Sequence, residues 1–337
     1  MRALNIHGVN DVRLDPKTPA PHGDADVVVK IKACGICGSD LSYIKWGGVN
    51  RPEGGVTPIG HEAAGEVIAV GAHVKDTFVG QHVVINPMHA SNYLGNGGPE
   101  GAFSEAVLLR DAKAGDCLLP IGNDIPFEIA ALAEPLAVAL HGVNRAQAKA
   151  GDKIVVFGCG PIGLAMVLWL ADRGVEDVIA VDLAPERLAR AKALGARHVI
   201  NAGTENVRER VLALHGSHRY FGREVANTNA FIDAAGGPNI LSDVIGFIRY
   251  RGRFVIVAAY MKPVSLNLGA MLTTEMELTT AMGYPTELNE VVAALPRLQG
   301  KVQQLISHRF GFDDVLKGFE VAGTPQSAKV MIQFDEA

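Results

Sequence analysis

Six residues, Gly158-Cys-Gly-Pro-Ile-Gly163, constrain the fold of this chain of 337 residues more than any other segment. A continuous apolar run at 153–157 precedes them, and a predicted helix over 161–173 follows them. A buried strand, a tight glycine turn and a helix in this order are typical of the first part of a dinucleotide-binding βαβ unit. The first glycine permits the turn, the second lets the backbone approach a pyrophosphate, and the third lets the helix pack closely on the strand.

An acidic residue at the end of the next predicted strand completes this pattern. Asp182 follows Gly163 by 19 residues, and there a carboxylate can accept hydrogen bonds from both ribose hydroxyls and repel a 2′-phosphate. The sequence therefore predicts NAD rather than NADP. The predicted cofactor-binding residues are Gly158, Gly160, Pro161, Ile162, Gly163, Asp182 and Arg187. Arg187 is equally well explained as a solvated helix residue, and the alternative for the whole segment is a structural glycine turn with Asp182 on the surface.

Strands and helices alternate through the middle of the chain, as in a doubly wound parallel sheet. The predicted strands are 153–157, 177–181, 198–200, 230–233, 253–257 and 277–280. Residues 1 to about 130 instead contain short β-type runs broken by glycine and proline, which predicts a small barrel or sandwich. From Tyr284 onward, helices over 286–299 and 313–320 and a strand over 329–334 are expected to pack back on this first domain.

Composition excludes several classes of protein. The chain is 48% apolar and 20% charged, with a net charge of -5 and no lysine- or arginine-rich run, which argues against a nucleic-acid partner. The longest apolar stretch, 154–171, is interrupted by glycines and a proline and ends at Asp172, so no membrane span is predicted. The N-terminal residues lack the apolar core of a signal peptide, and four cysteines do not make a disulfide framework. We expect a cytoplasmic protein.

A second group of chemically active residues lies in the β-rich part of the chain. Cys34-Gly-Ile-Cys37-Gly-Ser39-Asp40 is followed by Gly60-His61-Glu62. A thiolate together with an imidazole is a donor set that Zn²⁺ prefers. The Cys34–Cys37 spacing also matches a redox pair, but a thioredoxin-like domain would explain neither His61 nor the glycine motif.

Taken together, these motifs resemble those of the zinc-dependent medium-chain dehydrogenase/reductases, the alcohol and polyol dehydrogenase family. The residues that carry the resemblance are Cys37-Gly-Ser39-Asp40, Gly60-His61-Glu62, Gly71, Gly80, Glu134-Pro-Leu-Ala-Val-Ala-Leu-His141 and Gly158–Gly163. The resemblance spans nearly the whole chain. It implies an α/β protein with a GroES-like β-rich catalytic domain (1–133), a Rossmann NAD-binding domain (134–283) and a C-terminal segment (284–337) that returns to the catalytic domain.

By this resemblance, Cys37 and His61 are ligands of a single catalytic zinc. Glu134 matches the third family position, where a glutamate binds the metal directly or holds its water. Glu62 is then either an exchangeable fourth ligand or a carboxylate that acts through another group. Three protein ligands and one open position are what a catalytic zinc requires. Such a metal lowers the pKa of a substrate alcohol, whose hydride passes to the nicotinamide.

Three further residues have expected roles near the metal. Ser39 resembles the family hydroxyl that takes the alcohol proton; its alternative role is to cap a helix. Tyr43 and Trp46 are expected to line the substrate cleft, with core packing as the alternative.

Three departures from the family pattern narrow the expected activity. The segment 88–100 contains none of the four cysteines that hold a structural zinc in many relatives, so we expect one zinc per chain. Ser42 stands where many relatives have the histidine that ends a proton relay. Gly283 stands where relatives that act on sugar alcohols carry an arginine, which leaves room for a diol or a bulkier secondary alcohol.

The sequence thus predicts an enzyme that transfers hydride between a secondary alcohol and NAD, giving a ketone. Its expected partners are a small-molecule substrate and further copies of the chain. The resemblance implies a homodimer or homotetramer, because relatives pair through the edge of the nucleotide-domain sheet. Two alternatives are a zinc-free quinone or enoyl reductase of the same fold and a non-catalytic NAD-binding protein.

Overall fold

A computed structural model describes residues 1–50 and 55–334 and divides the chain into two units. The first unit comprises Met1–Glu134 together with the segment that begins at Leu288, and the second is Pro135–Glu287. Among the residues described, no helix has the length and apolarity needed to cross a membrane.

The elements are numbered here in chain order. In residues 1–130 they are β1 (Arg2–Gly8), β2 (Asp11–Pro16), β3 (Val27–Gly35), α1 (Gly38–Trp46), β4 (Thr57–Pro58), β5 (Glu62–Val70), β6 (His82–Ile85), β7 (Ala106–Leu109), β8 (Leu118–Pro120) and α2 (Phe127–Ala130). Next come α3 (Ala133–Arg145), β9 (Lys153–Phe157), α4 (Pro161–Asp172), β10 (Asp177–Asp182), α5 (Pro185–Leu194), β11 (His198–Asn201), α6 (Val207–His215), β12 (Ser217–Tyr220), β13 (Arg223–Ala226), β14 (Ala230–Asp233), α7 (Ile240–Ile245), β15 (Arg253–Ile256), α8 (Leu268–Thr274) and β16 (Glu277–Thr280). The last are α9 (Leu288–Val302), β17 (Ile306–Gly311), α10 (Val315–Ala322) and β18 (Lys329–Gln333).

Strand β3 organises the first unit. It pairs antiparallel with β5, β7 and β18 in a sheet of seven strands. Val27, Val29 and Ile31 are fully buried and alternate with partly exposed residues, as expected for a strand with one face on the core. From Ala33 to Gly35 this alternation stops and every residue is buried, which marks the end of the strand where the polar residues described below meet.

The second unit contains a six-stranded parallel sheet in the order β11-β10-β9-β14-β15-β16. This is the doubly wound order, and the six predicted strands are confirmed. In such sheets a ligand binds beyond the carboxyl ends of the strands, where the strand order reverses, here between β9 and β14.

A hairpin of β12 and β13, which the sequence analysis did not predict, stands between α6 and β14. Its two connecting residues, Phe221 and Gly222, both have positive φ, 47° and 74°. Two-residue hairpin turns need this backbone geometry and usually signal it with Asn-Gly or Asp-Gly. Because Phe-Gly lacks that signal, the turn was missed.

A buried histidine lies at the end of α6. His215 is fully buried, and its Nδ1 lies 2.8 Å from Thr228 Oγ1. Its Nε2 has no hydrogen-bond partner among the described residues and lies 3.6 Å from Asp177 Oδ1. Burial lowers the pKa of His215 to about 4, against the opposing charge of Asp177.

This histidine should make the second unit sensitive to acid. Because its pKa is lower in the folded than in the unfolded chain, the unfolded chain binds more protons between pH 6.5 and 4. The free energy of unfolding should therefore fall as the pH is lowered through that range, by roughly 3 kcal/mol. Urea unfolding in a Trp46→Phe background, followed by the fluorescence of Trp169 in α4, measures this unit.

The matched control replaces an exposed histidine. His215→Asn keeps a polar atom for Thr228 but cannot take up the proton, so its stability should depend less on pH than that of the parent. His218→Asn, on the exposed face of β12, should retain the parent's slope. Equal slopes in all three proteins would exclude His215 as the cause.

Candidate metal and dinucleotide sites

The three metal-ligand candidates Cys37, His61 and Glu62 lie together in the first unit, with their ligand atoms within 4.8 Å of one another. Strand pairing brings them together, because Gly35 at the end of β3 is opposite Glu62 at the start of β5. Cys37 follows β3 by two residues and precedes α1. Thiolate, imidazole and carboxylate are donors that Zn²⁺ takes in proteins, so the set fits this metal.

Asp40 ties the two ligand segments to each other. This carboxylate is fully buried and accepts hydrogen bonds from the backbone N–H of Cys37 (2.9 Å) and of Gly60 (3.2 Å). His61 Nδ1, which has no hydrogen-bond partner among the described residues, lies 3.6 Å from Asp40 Oδ1. Burial alone would lower the pKa of His61, but the charges of Asp40 and Cys37 raise it well above its ordinary value. A metal-binding histidine is commonly oriented by a carboxylate on its other nitrogen, and Asp40 has that position.

Glu62 has a partner that the sequence analysis missed. Lys329, the first residue of β18, is buried and donates hydrogen bonds to both carboxylate oxygens of Glu62, each at 2.6 Å. The only trace of this in the sequence is a lysine at the start of an apolar strand. The two residues are 267 positions apart, so no local pattern could have paired them.

Glu134, the other candidate ligand, is not part of the compact group of three. It is the second residue of α3 and is 8% exposed. Its charge helps to raise the pKa values of His61 and Lys329, which places it near both.

The two cysteines of the first motif differ in their surroundings. Both are free thiols, and Cys34 is buried within the core whereas Cys37 is partly exposed. Burial raises the pKa of Cys34 well above its ordinary value. A thiol held protonated in this way is a poor nucleophile and a poor ligand, so the redox-pair alternative gains no support.

The two serines of α1 point in different directions. Ser39 Oγ lies 3.4 Å from His61 Nε2, beside the metal-ligand group. The helix-capping position belongs to Cys37, so the capping alternative does not apply to Ser39. Ser42 Oγ donates a hydrogen bond to the carbonyl of Gly38 in its own helix, a contact that ties it to the backbone.

The aromatic candidates lie one turn further along α1. The rings of Tyr43 and Trp46 are 6.0 Å apart, and Trp46 is 52% exposed, which argues against core packing for Trp46. The Tyr43 hydroxyl donates a hydrogen bond to Asn96 Oδ1 (3.2 Å), and burial raises the pKa of Tyr43. Asn96, which the sequence analysis did not single out, pairs with Ile59 in an isolated bridge two residues before His61.

Side-chain hydrogen bonds hold the cysteine-free segment 88–100 in place. Lys17 Nζ donates hydrogen bonds to Glu100 Oε2 (2.5 Å), Ser104 Oγ (3.1 Å) and the Ala106 carbonyl (2.9 Å). Asn92 Nδ2 donates to the Leu108 carbonyl at 2.7 Å. These bonds tie the segment to its neighbours in the first unit.

The glycine loop of the second unit has the geometry expected of a phosphate-binding turn. Gly158 has φ of 87°, which favours glycine. A Cβ on Gly163 would lie 1.7 Å from the Gly158 carbonyl oxygen, so only glycine permits this packing of α4 on the turn. At Gly160 a Cβ would meet nothing within 4 Å, so its outer face is open. Pro161, Ile162 and Gly163 form the first turn of α4.

A cavity of about 1120 Å³ opens at this loop, at the carboxyl ends of the strands. This exceeds the range of about 300–1,000 Å³ typical of small-molecule sites, as a dinucleotide requires. Its lining includes Gly158, Gly160, Asp182 and Arg187. Asp182 accepts hydrogen bonds from the backbone N–H of Cys159 (2.6 Å), Leu183 (2.7 Å) and Ala184 (2.9 Å). The site therefore fits NAD.

Comparison with known proteins shows which proteins the chain is similar to. The profile described as "Alcohol dehydrogenase GroES-like domain" matches residues 23–120, and that described as "Zinc-binding dehydrogenase" matches residues 161–298. The chain is 30% identical to (R,R)-butanediol dehydrogenase of Bacillus subtilis (strain 168), over 94% of each chain. It is also 30% identical to sorbitol dehydrogenase of Mus musculus, over 99% of this chain and 96% of that one. The crystal structure of 2R,3R-butanediol dehydrogenase from Bacillus subtilis superposes with a TM-score of 0.86 at 29% identity, covering 98% of this chain and 99% of that one.

The chain belongs to the zinc-dependent medium-chain alcohol and polyol dehydrogenases. It is an oxidoreductase that transfers hydride between a small secondary alcohol and NAD and uses zinc. The predicted fold class, a GroES-like β-rich unit with a Rossmann-type unit, is confirmed.

Proposed function

We propose that this enzyme oxidises a small vicinal diol to a hydroxyketone, with Cys37, His61 and Glu134 as the protein ligands of its zinc. The observation that carries the zinc assignment is the close group of Cys37, His61 and Glu62, with Ser39 beside it. Zinc bound there would lower the pKa of the substrate alcohol. The first unit then acts as the catalytic domain, and the second, with Asp182 at the ribose position and Arg187 in the cavity lining, as the NAD-binding domain.

The residues around the metal position orient a ligand, transfer a proton and line the substrate cleft. Asp40 fixes the orientation of His61, and Ser39 accepts the alcohol proton and passes it to water. Water takes this role because Ser42 is bonded to its own helix. Closely spaced rings at Tyr43 and Trp46 supply the apolar wall of the substrate cleft.

The Tyr43 hydroxyl is a polar group that a second hydroxyl of the substrate can contact. Ser39 and Tyr43 are four residues apart on α1 and therefore share a face of the helix. The Tyr43 hydroxyl, held by Asn96, is then positioned for a hydroxyl next to the reacting one. Gly283 stands where relatives that act on sugar alcohols carry an arginine, so this chain lacks that cation. Relatives named as butanediol dehydrogenases support the same substrate class.

A matched set of alcohols tests this proposal. We expect kcat/KM for a butanediol stereoisomer to exceed that for secondary butanol and for sorbitol at least about tenfold, with NAD preferred to NADP. Tyr43→Phe should lower the value for the diol about tenfold and leave secondary butanol nearly unchanged. Equal losses for both alcohols would contradict the role of Tyr43. NADH binding without turnover of any alcohol would favour a non-catalytic NAD-binding protein.

We also propose that two copies of the chain pair through β16. This strand ends the six-stranded sheet, and no strand of residues 1–50 or 55–334 pairs with its outer edge. Exposed apolar side chains lie on it and near it: Leu268, Leu272, Leu278 and Met282. An open edge pairs readily with another strand, and two identical edges can pair antiparallel about a twofold axis.

A proline at the open edge tests the dimer. The backbone N–H groups of Glu277 and Ala281 donate hydrogen bonds to the carbonyls of Gly252 and Ile256, on the side of β15. Because successive N–H groups of a strand point to opposite sides, the N–H of Leu278 points to the outer edge. Leu278→Pro should therefore be a monomer in light scattering, whereas Leu278→Thr, which keeps the N–H, should remain a dimer. A Leu278→Pro protein that still pairs would place the interface elsewhere.

A further inference from the structure

A buried carboxylate lies at the carboxyl end of β14. Asp233, the last residue of this strand, is fully buried. Its Oδ1 accepts hydrogen bonds from the backbone N–H groups of Ala235 (2.9 Å) and Gly236 (3.0 Å). Its Oδ2 accepts one from the Tyr260 hydroxyl at 2.5 Å. A buried carboxylate needs such donors, and of these three only the Tyr260 hydroxyl belongs to a side chain.

The loop 234–237, which follows Asp233, forms a wall of the dinucleotide cavity. The backbone N–H of Ala234 donates a hydrogen bond to the carbonyl of Phe157 at 2.8 Å. A Cβ on Gly158 would lie 2.9 Å from the backbone nitrogen of Ala235, so the loop packs directly on the glycine turn. Ala234 and Ala235 both line the cavity. The position of this loop therefore sets the shape of the cavity beside the turn.

The segment 257–260, which follows β15, is bonded to Asp233 at both of its ends. Its first two backbone N–H groups donate to the carbonyl of Asp233, at 2.9 and 3.0 Å. At its other end, the Tyr260 hydroxyl donates to the carboxylate. A Cβ on Gly236 would lie 3.1 Å from the Ala259 carbonyl oxygen, so the segment also packs closely on the loop.

Loop and segment lie on one half of the parallel sheet. A dinucleotide binds across such a sheet, with one mononucleotide on each side of the point where the strand order reverses. In the proposed NAD site, Asp182 at the end of β10 binds the adenosine ribose. The nicotinamide half is then expected over β14, β15 and β16, which is the half that carries Asp233 and the segment 257–260.

We propose that Tyr260 is a positioning residue that, through Asp233, holds the segment 257–260 against the loop 234–237 in the arrangement that binds the nicotinamide half of NAD. The proposal rests on the proposed NAD site. Without the hydroxyl the segment loses its bond at one end, and cofactor binding must order that end at a cost in affinity. The adenosine half, bound on the side of β10, does not meet this cost.

Binding of NADH and of AMP to Tyr260→Phe tests the proposal without turnover. The Kd for NADH, from fluorescence titration, should rise at least about fivefold, as expected for the loss of one hydrogen bond to a charged group. The Kd for AMP, which is the adenosine half of NAD, should stay within about twofold in calorimetry. Tyr250→Phe is the matched control, because Tyr250 stacks on Tyr220 of the hairpin, and it should bind both ligands as the parent does.

Asp233→Asn separates the hydrogen bond from the charge. Its amide can still accept hydrogen bonds from the backbone N–H groups and can donate one to the Tyr260 oxygen. The Kd for NADH should therefore stay within about twofold of the parent's. Parental NADH affinity in Tyr260→Phe, an equal loss for AMP, or an equally large loss in Asp233→Asn would each overturn the proposal.

Hydrogen–deuterium exchange of the parent protein keeps the proposal testable if Tyr260→Phe does not fold. NADH should slow exchange of the amides of 257–260 at least about fivefold more than saturating AMP does. Equal protection by the two ligands would overturn the proposal. A parent protein that binds neither ligand would overturn the proposed NAD site itself.

Discussion

Replacing Cys37 with alanine is expected to remove the bound metal and to lower kcat by about 10³-fold or more. The loss follows from the role of the metal, because stabilising the developing charge on the alcohol oxygen is worth several kcal/mol. Metal analysis after exhaustive dialysis should find close to one zinc per chain in the parent protein and almost none in the variant. Steady-state turnover of an alcohol with NAD completes the measurement.

Cys34→Ala provides the matched control for this experiment. Cys34 lies three residues away and is a free thiol, but it is fully buried in the core. Its replacement should leave metal content unchanged and cost about 1 kcal/mol of stability as a small cavity forms. Loss of metal from Cys34→Ala but not from Cys37→Ala would reverse the assignment. A Cys37→Ala protein with full activity would revive the zinc-free reductase alternative.

Alanine at two positions of the glycine loop should separate cofactor binding from folding. Gly160 has φ of -67°, and a Cβ there would meet no protein atom within 4 Å. Gly160→Ala should therefore fold normally yet raise the Kd for NADH at least tenfold, because its methyl group occupies the face that the pyrophosphate approaches. Fluorescence titration with NADH and thermal unfolding measure the two effects.

Gly163→Ala should behave in the opposite way. Its Cβ would lie 1.7 Å from the Gly158 carbonyl oxygen, so the backbone must shift. We expect a loss of about 2–4 kcal/mol in the free energy of unfolding. The prediction fails if Gly163→Ala is as stable as the parent, or if Gly160→Ala binds NADH with the parent's affinity.

The parts of the structure that were predicted correctly are those with a local signature. The strands at 153–157 and 177–181 are continuous apolar runs after their first, charged residue, because parallel strands are buried on both faces. The turn at Phe221 lacked such a signature and was missed.

The same division holds for the sites. Cys37, His61 and the glycine loop could be proposed as site residues because each occurs in a short motif. Lys329 and Asn96 could not, because their roles arise from strand pairing and from contacts across the fold. Asp40 was visible in its motif, but nothing in the sequence shows that its carboxylate is buried against two backbone N–H groups.

The arrangement of β18 beside β3 also bears on how the protein matures during its synthesis. The sheet of the second unit comes from one continuous stretch, so its core can close as soon as that stretch has left the ribosome. The first unit must wait, because its strand β18 is made after residue 287. Until then Glu62 has no ammonium beside it, and the edge of β3 at Gly35 has no partner from β18. We therefore expect the metal to be acquired only after β18 has been made.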